Sequence, residues 1–247
     1  IVLPAGLKDV HDRSLSNANL FPLQLQVGAM PPLAKFAASP FGVVERFAEG
    51  DSGPAMLPVT LRNVEQDLKI SGVSIEDKGT VSTLQLQNDA DIIRWYRKLQ
   101  RYDNWSTVSR ADAARDSKTP LPKKLVVGDT NVEARMISLL DGNGASKKLA
   151  LPKTDSKDPR PFEVVGIPLN TGFHVVEIAS PMLGDVLLNA DYPAVQRTMY
   201  VRTSALVTNL GVHFKLGREN NLAWVTSLDK GLPVPNAQVR VSTCSGQ

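Results

Sequence analysis

Three histidines, one cysteine and a scatter of carboxylates are the side chains of this 247-residue sequence with the chemistry for catalysis or metal binding. His11, His174 and His213 stand far apart, and none falls in an H-x-x-x-H spacing that would put two imidazoles on one helix face. His174 and His213 lie inside strand-like runs, Gly172 to Glu177 and Val212 to Lys215, and are expected as ordinary strand positions. A nucleophilic serine needs a strained elbow of the G-x-S-x-G kind, and the sequence has none. Gly142-Asn143-Gly144 lacks the further glycine or Lys-Ser/Thr of a nucleotide-phosphate loop, so a hairpin turn is expected there. Asp9 with Asp12, and Glu76 with Asp77, sit in loop-like surroundings and are expected as solvated surface. Cys244 alone excludes an internal disulfide and any multi-cysteine metal site. The expectation is therefore a binding or scaffolding protein rather than an enzyme, with no catalytic residue, metal or cofactor. Hydrolase or esterase chemistry would require distant residues to converge in the fold.

One segment has the composition of a binding surface. From Asp91 to Asp103 a helical wheel gathers Ile92, Trp95, Tyr96, Leu99 and Tyr102 in one sector and Arg94, Arg97, Lys98 and Arg101 in the opposite one. Asn88 or Asp89 is the expected N-cap, and Asp91 complements the helix dipole. Ser109 to Asp116 reads as a second short helix, and Ser117 to Lys124 as a loop, so Asn88 to Lys124 is expected as an insertion in a β-domain. Trp95, Tyr96, Tyr102 and Trp105 together with Arg94, Arg97, Lys98, Arg101, Arg110 and Arg115 could grip an anionic polymer or lipid head group. The competing and preferred reading packs the aromatics on the sheet and turns the cations to water. Arg94, Arg97, Lys98, Arg101 and Trp105 are the candidate interaction surface.

The elements around this helix follow a period of two. Apolar residues alternate in Phe21 to Val27, Met56 to Val64, Val132 to Met136, Phe162 to Ile167, Phe173 to Ile178, Val212 to Leu216 and Leu222 to Leu228. Asp141 to Gly144, Asn170-Thr171-Gly172 and Lys230-Gly231 punctuate them as turns. The fold class is mainly β: tandem antiparallel sandwich domains of Ig or fibronectin type with one helical insertion. Pro31-Pro32 ends a first segment, and Asp191-Tyr192-Pro193 marks a second junction. The expected division is residues 1–32 as strands of a preceding Ig-like domain or linker, 33–198 as a sandwich with the insertion, and 199–247 as the start of a truncated third domain. With 42% apolar residues and no run long enough to span a bilayer, the composition is globular. A formal net charge of +3 does not call for a polyanion partner, and no nucleic acid is expected. Ile1 to Gly6 have neither an initiating Met nor a signal-like pattern, so a signal or lipid anchor is expected outside this piece. Val239 to Cys244 reads as a further strand.

The last stretch carries a resemblance. Leu206 to Lys215 (LVTNLGVHFK), Trp224 to Leu228 (WVTSL) and Gly231 to Val241 (GLPVPNAQVRV) read as strand, strand, tight turn and strand, with Gly231 permitting the turn and Val239 and Val241 returning to the core. Together they resemble a bacterial alpha-2-macroglobulin. Phe162 to Leu169 with Gly172 to Ile178 look like the closing hairpin of that family's preceding domain, and Pro31 to Phe36 and Pro40 to Glu45 resemble the N-terminal region of the enterobacterial members. The resemblance covers most of the chain and implies tandem macroglobulin-like sandwiches. It further implies a protease trap of the periplasm, attached to the inner membrane by a lipid anchor and protecting the cell envelope. Implied partners are the other domains of the same protein, attacking proteases and a penicillin-binding cell-wall synthase. That family's thioester motif, C-x-E-Q, is missing, since Cys244 is followed by Ser245-Gly246-Gln247, and no bait segment can be assigned. The competing class is an envelope Ig-like binding module that uses the basic aromatic helix for an anionic ligand.

Overall fold

An alternating apolar run becomes a strand only where a neighbour supplies hydrogen bonds, and the two ends of this chain differ in that respect. The computed structural model describes residues 1–26, 28, 30–46, 53–62, 64, 80–121, 130–150, 163–188 and 197–241. They fall into two units, residues 1–31 and 32–247. In the first, the run beginning at Phe21 is not a strand: Val27 lies outside the described residues, and Phe21 to Gln26 form no ladder. Leu23 instead exchanges backbone bonds with Ile1, its N–H donating to the Ile1 carbonyl at 2.9 Å and its carbonyl accepting from the Ile1 amino group at 2.6 Å. Pro22 removes a donor, and Leu25 remains 62% exposed because no strand pairs with it among the described residues. Among its described residues the unit is otherwise irregular, with one 3-10 turn at Ala18–Leu20 and a single bridge from Lys8 to Ser14.

The second unit is mainly β. In chain order its elements are β1 (Leu33–Phe36), β2 (Phe41–Glu45), β3 (Ala55–Arg62), β4 (Thr80–Leu86), α1 (Asp89–Asn104), β5 (Thr107–Ser109), α2 (Arg110–Asp116), β6 (Asn131–Glu133), β7 (Lys147–Ala150), β8 (Glu163–Leu169), β9 (Gly172–Ser180), α3 (Pro181–Leu187), β10 (Met199–Thr208), β11 (Leu210–Lys215) and β12 (Leu222–Ser227). The smaller sheet has the order β1-β3-β8, and the larger one the order β2-β10-β9-β4-β7. All their pairings are antiparallel except β2 with β10.

Side-chain parity explains the layers. Val176 and Ile178 of β9 and Ala205 and Val207 of β10 point into one core, where they meet Leu57, Val59 and Leu61 of β3 and Val165, Ile167 and Leu169 of β8. Phe173 and Val175 of β9, with Leu84 and Leu86 of β4, point the other way into a second core. There they meet Trp95, Leu99 and Tyr102 of α1, Val108 of β5, Ala113 of α2 and Val132 of β6. Within the expected insertion, then, α1, β5 and α2 form a third layer that covers the back of the larger sheet. The start of α1 is as expected, with the Asn88 side chain accepting from the Asp91 N–H at 2.9 Å, and Ser109 caps α2 the same way at 3.0 Å.

Several turns differ from expectation. β8 and β9 are not a hairpin: β8 pairs with β3 and β9 with β4 and β10, so Asn170-Thr171-Gly172 is a corner between sheets. That corner puts the two strands on opposite sides of one core, which a hairpin could not do. Gly172 has φ 126, and a Cβ there would press on the Gln85 side chain, whose Nε2 donates to the Thr171 carbonyl at 3.0 Å. Asp141 to Gly144 is a turn, but it too closes no hairpin, since β6 before it pairs with β5 and β7 after it with β4. The run Val132 to Met136 is strand only to Glu133 and then tightens into a 3-10 turn, Ala134–Met136. Val239 and Val241 do not return to a core, being 46% and 71% exposed without a ladder partner among the described residues. The junction at Asp191 to Pro193 lies outside the described residues, as do Glu76, Asp77 and Cys244. β10, at whose start a new domain is expected, pairs with β9 from Met199 opposite Ser180 to Val207 opposite Gly172.

Candidate functional site

The sheet-facing side of the helical layer holds the most concentrated chemistry. Glu177 on β9 and Arg202 on β10 are registered partners, and parity turns both toward the segment Ala134–Asp141. Their side chains are 3% and 5% exposed. The Glu177 carboxylate accepts from Ser138 Oγ at 2.6 Å, from the Leu139 N–H at 2.8 Å and from the Leu140 N–H at 3.2 Å. Arg202 Nη2 donates to the Ile137 carbonyl at 2.6 Å and to that of Ala134 at 3.3 Å. Arg202 Nε lies 3.4 Å from Glu177 Oε2, near enough for an ion pair though outside hydrogen-bond geometry. The guanidinium also lies over the Tyr102 ring, 5.3 Å from its centroid. Burial lowers the Arg202 pKa from its ordinary value, and Glu177 opposes that shift. The pair thus supplies the polar partners of a buried loop that has no strand of its own to pair with. Its acceptors and donors are turned inward, toward backbone.

Asp116 at the end of α2 forms a second centre. Its side chain is 8% exposed and accepts from Arg101 Nη1 at 3.2 Å and from the Tyr102 hydroxyl at 3.4 Å. Lys98 and Arg115 approach it at 3.7 and 3.6 Å. Burial, followed by the Asp116 charge, raises the Tyr102 pKa. Burial lowers that of Lys98, which Asp116 counters, and the ammonium sits 4.4 Å from the centre of the Trp95 ring. Asp112 pairs with Arg115, and with Arg101 at 3.6 Å, while Asp91 pairs with Arg94.

The candidate interaction surface therefore divides. Arg94, Lys98 and Arg101 each have an acidic neighbour, Arg97 is exposed without an ion pair among the described residues, and Trp105 is 66% exposed just past the end of α1. Trp95, Leu99 and Tyr102 are buried. Tyr96 meets the Phe41 ring edge-on, and Phe41 stacks on Phe173 with centroids 5.9 Å apart.

The histidines are dispersed. His174 is buried on β9 with Nε2 2.8 Å from the Asn170 carbonyl, and burial lowers its pKa. His213 lies on β11 opposite Trp224, and the exposed His11 donates its backbone N–H to Asp9. The described residues hold no group of three or more side chains able to bind a metal ion. A cavity in the first unit, lined by Val2, Leu3, Leu7, Leu15, Phe21 and Pro22 among others, has no titratable side chain in its wall. Glu177, Arg202 and Asp116 escape sequence reasoning. The available signal was a lone charge in each of two long apolar strands, Glu177 within VVEIA and Arg202 within YVRTSALV.

The chain leaves the larger sheet through β10 and continues directly into the antiparallel hairpin β11–β12. Leu210, Val212 and Phe214 line one face of this ribbon with Ala223 and Val225, and Leu222 and Trp224 lie on the other. Exposures of 60% for Val212, 50% for Phe214 and 50% for Trp224 show that neither face is covered among the described residues. No curated protein and no solved structure gives a match. The family model of the bacterial alpha-2-macroglobulin MG3 domain matches residues 207–247, the end of β10 and the whole hairpin. Residues 207–247 are thus similar to the MG3 domain of the bacterial alpha-2-macroglobulins, in keeping with the resemblance read from the sequence of the same stretch.

Proposed function

We propose that this chain is a non-catalytic scaffold of a periplasmic alpha-2-macroglobulin-type protease inhibitor. The observation that carries the reading is the MG3-domain segment that runs without a linker out of the sandwich. A two-stranded ribbon with apolar side chains on both faces is marginal in water, so further strands of the same domain are proposed to cover it, making this chain one piece of a longer protein. The buried Glu177 and Arg202 support a framework role, because their polar atoms hold backbone rather than face a cleft. Within this proposal a lipid anchor elsewhere in the protein holds it at the inner membrane. The other domains and attacking proteases are its partners, with a cell-wall synthase as a further one.

The test uses the whole protein that carries this chain. Incubated with a general endopeptidase, it should suppress cleavage of a large protein substrate and leave cleavage of a short chromogenic peptide nearly intact, since a trap excludes substrates by size. Equal cleavage of both, with and without the protein, would overturn the inhibitor reading. Turnover of ester or peptide substrates by the chain itself would overturn the non-catalytic one.

A further inference from the structure

The passage from β10 to β11 takes a single residue, Asn209, and that residue is held from several sides. Its carbonyl accepts from the Leu228 N–H at 2.8 Å and its side-chain oxygen from the Asp229 N–H at 3.1 Å, both just past the end of β12. Thr208 is held equally well: its hydroxyl accepts from the Leu210 N–H at 3.0 Å, and its carbonyl accepts from the Arg46 N–H at 3.0 Å. Arg46 in turn donates through Nη1 to Thr171 Oγ1 at 3.0 Å, at the corner between the two sheets. Beyond the hairpin the chain doubles back, Val234 donating to the Val225 carbonyl at 2.9 Å, and Arg240 reaches Asp89 at the start of α1 at 2.9 Å.

A hinge needs a few residues whose dihedrals can change without breaking hydrogen bonds. Here the side chains of Thr208 and Asn209 accept from Leu210 and Asp229 on the hairpin side, the Thr208 carbonyl accepts from Arg46 just past β2 of the larger sheet, and Arg240 adds a second attachment on a different element. We infer that Thr208 and Asn209 form a stiff coupler, so that the hairpin β11–β12 moves as one body with the larger sheet. A displacement of the hairpin domain is then passed to Arg46, Thr171 and the β8–β9 corner instead of being absorbed at the junction. The inference goes beyond the scaffold reading and stands on the junction's geometry alone.

Spin labels at the exposed positions Arg97 and Lys215, introduced as cysteines in a Cys244→Ser background, read the distance between the α1 layer and the hairpin in the full chain. A single narrow distance distribution is expected. The variant Thr208→Val with Asn209→Ala removes both side-chain acceptors, and the distribution should broaden at least twofold. Thr208→Ser, which keeps its acceptor, should leave it narrow. A broad or two-peaked distribution in the unsubstituted junction overturns the inference, and so does an unchanged width in a double variant whose circular dichroism shows an intact fold. If the double variant does not fold, the width measured for the unsubstituted junction decides the matter.

Discussion

Glu177 and Arg202 face one another across the central strand pair of the larger sheet, one nearly fully buried charge opposite another, and between them they engage five polar groups of Ala134 to Leu140. Removing one partner strands the other in a medium that cannot solvate it. Glu177→Ala should therefore cost about 3–5 kcal/mol of unfolding free energy in urea denaturation. Glu177→Leu combined with Arg202→Met should cost clearly less than the two single losses added together. Strictly additive losses would show that the two charges are not coupled.

The acids beside α1 are expected to mask its cations. Asp112→Asn with Asp116→Asn should turn a chain that passes through a polyanionic matrix into one retained at low salt and released as salt rises. Retention of the unsubstituted chain would favour the anionic-ligand class instead. Identical elution of both would mean that these carboxylates do not control the cations.

Gly184 in α3 sits against the chain entering β10, and a Cβ there would collide with the Arg197 carbonyl, a backbone group that cannot swing aside. Gly184→Ala should destabilise by about 1–3 kcal/mol, the usual range for overpacking. Gly144→Ala, where the added atom meets nothing within 4 Å, is the control and should change stability by less than about 0.5 kcal/mol. Equal thermal midpoints for the two variants would contradict the close approach.

Stability should fall at both ends of the pH scale for separate reasons. Burial holds His174 below its usual pKa, so as pH drops below about 6.5 the unfolded chain takes up a proton first and stability declines. His174→Gln should flatten that limb. Tyr200 is pushed up to about 12, chiefly by burial. Stability tied to it is complete below about pH 10, where an unfolded tyrosine titrates, and is lost as pH rises toward the folded value. Tyr200→Phe should flatten the alkaline limb of urea midpoints measured against pH, and slopes unchanged by either variant would remove these groups as the cause.

Legibility of the fold tracked how many faces of an element meet apolar neighbours. α1 buries one stripe and leaves the other to water, so Trp95, Leu99 and Tyr102 recur at helical spacing and the helix is readable together with its Asn88 cap. β3 alternates for the same reason, with Leu57, Val59 and Leu61 inside and Met56 outside. β4 is covered on both sides, Val81 by one core and Leu84 by the other, so its period fades and no alternation marks it in the sequence. In Phe21 to Gln26 the alternation is present and no strand exists, because period two describes a face and says nothing of a partner.

Composition, period and turn chemistry by themselves determined that this protein is mainly β and that α1 and α2 interrupt the strands, while the residues from Leu206 to Val241 carried the resemblance to a bacterial alpha-2-macroglobulin. Tertiary structure alone decided that β8 and β9 belong to different sheets, that α1 lies over the back of the larger sheet, and that Glu177 meets Arg202. Those relations depend on which strands lie side by side. A chain encodes that through the summed fit of distant surfaces, which no local spacing of residues reveals.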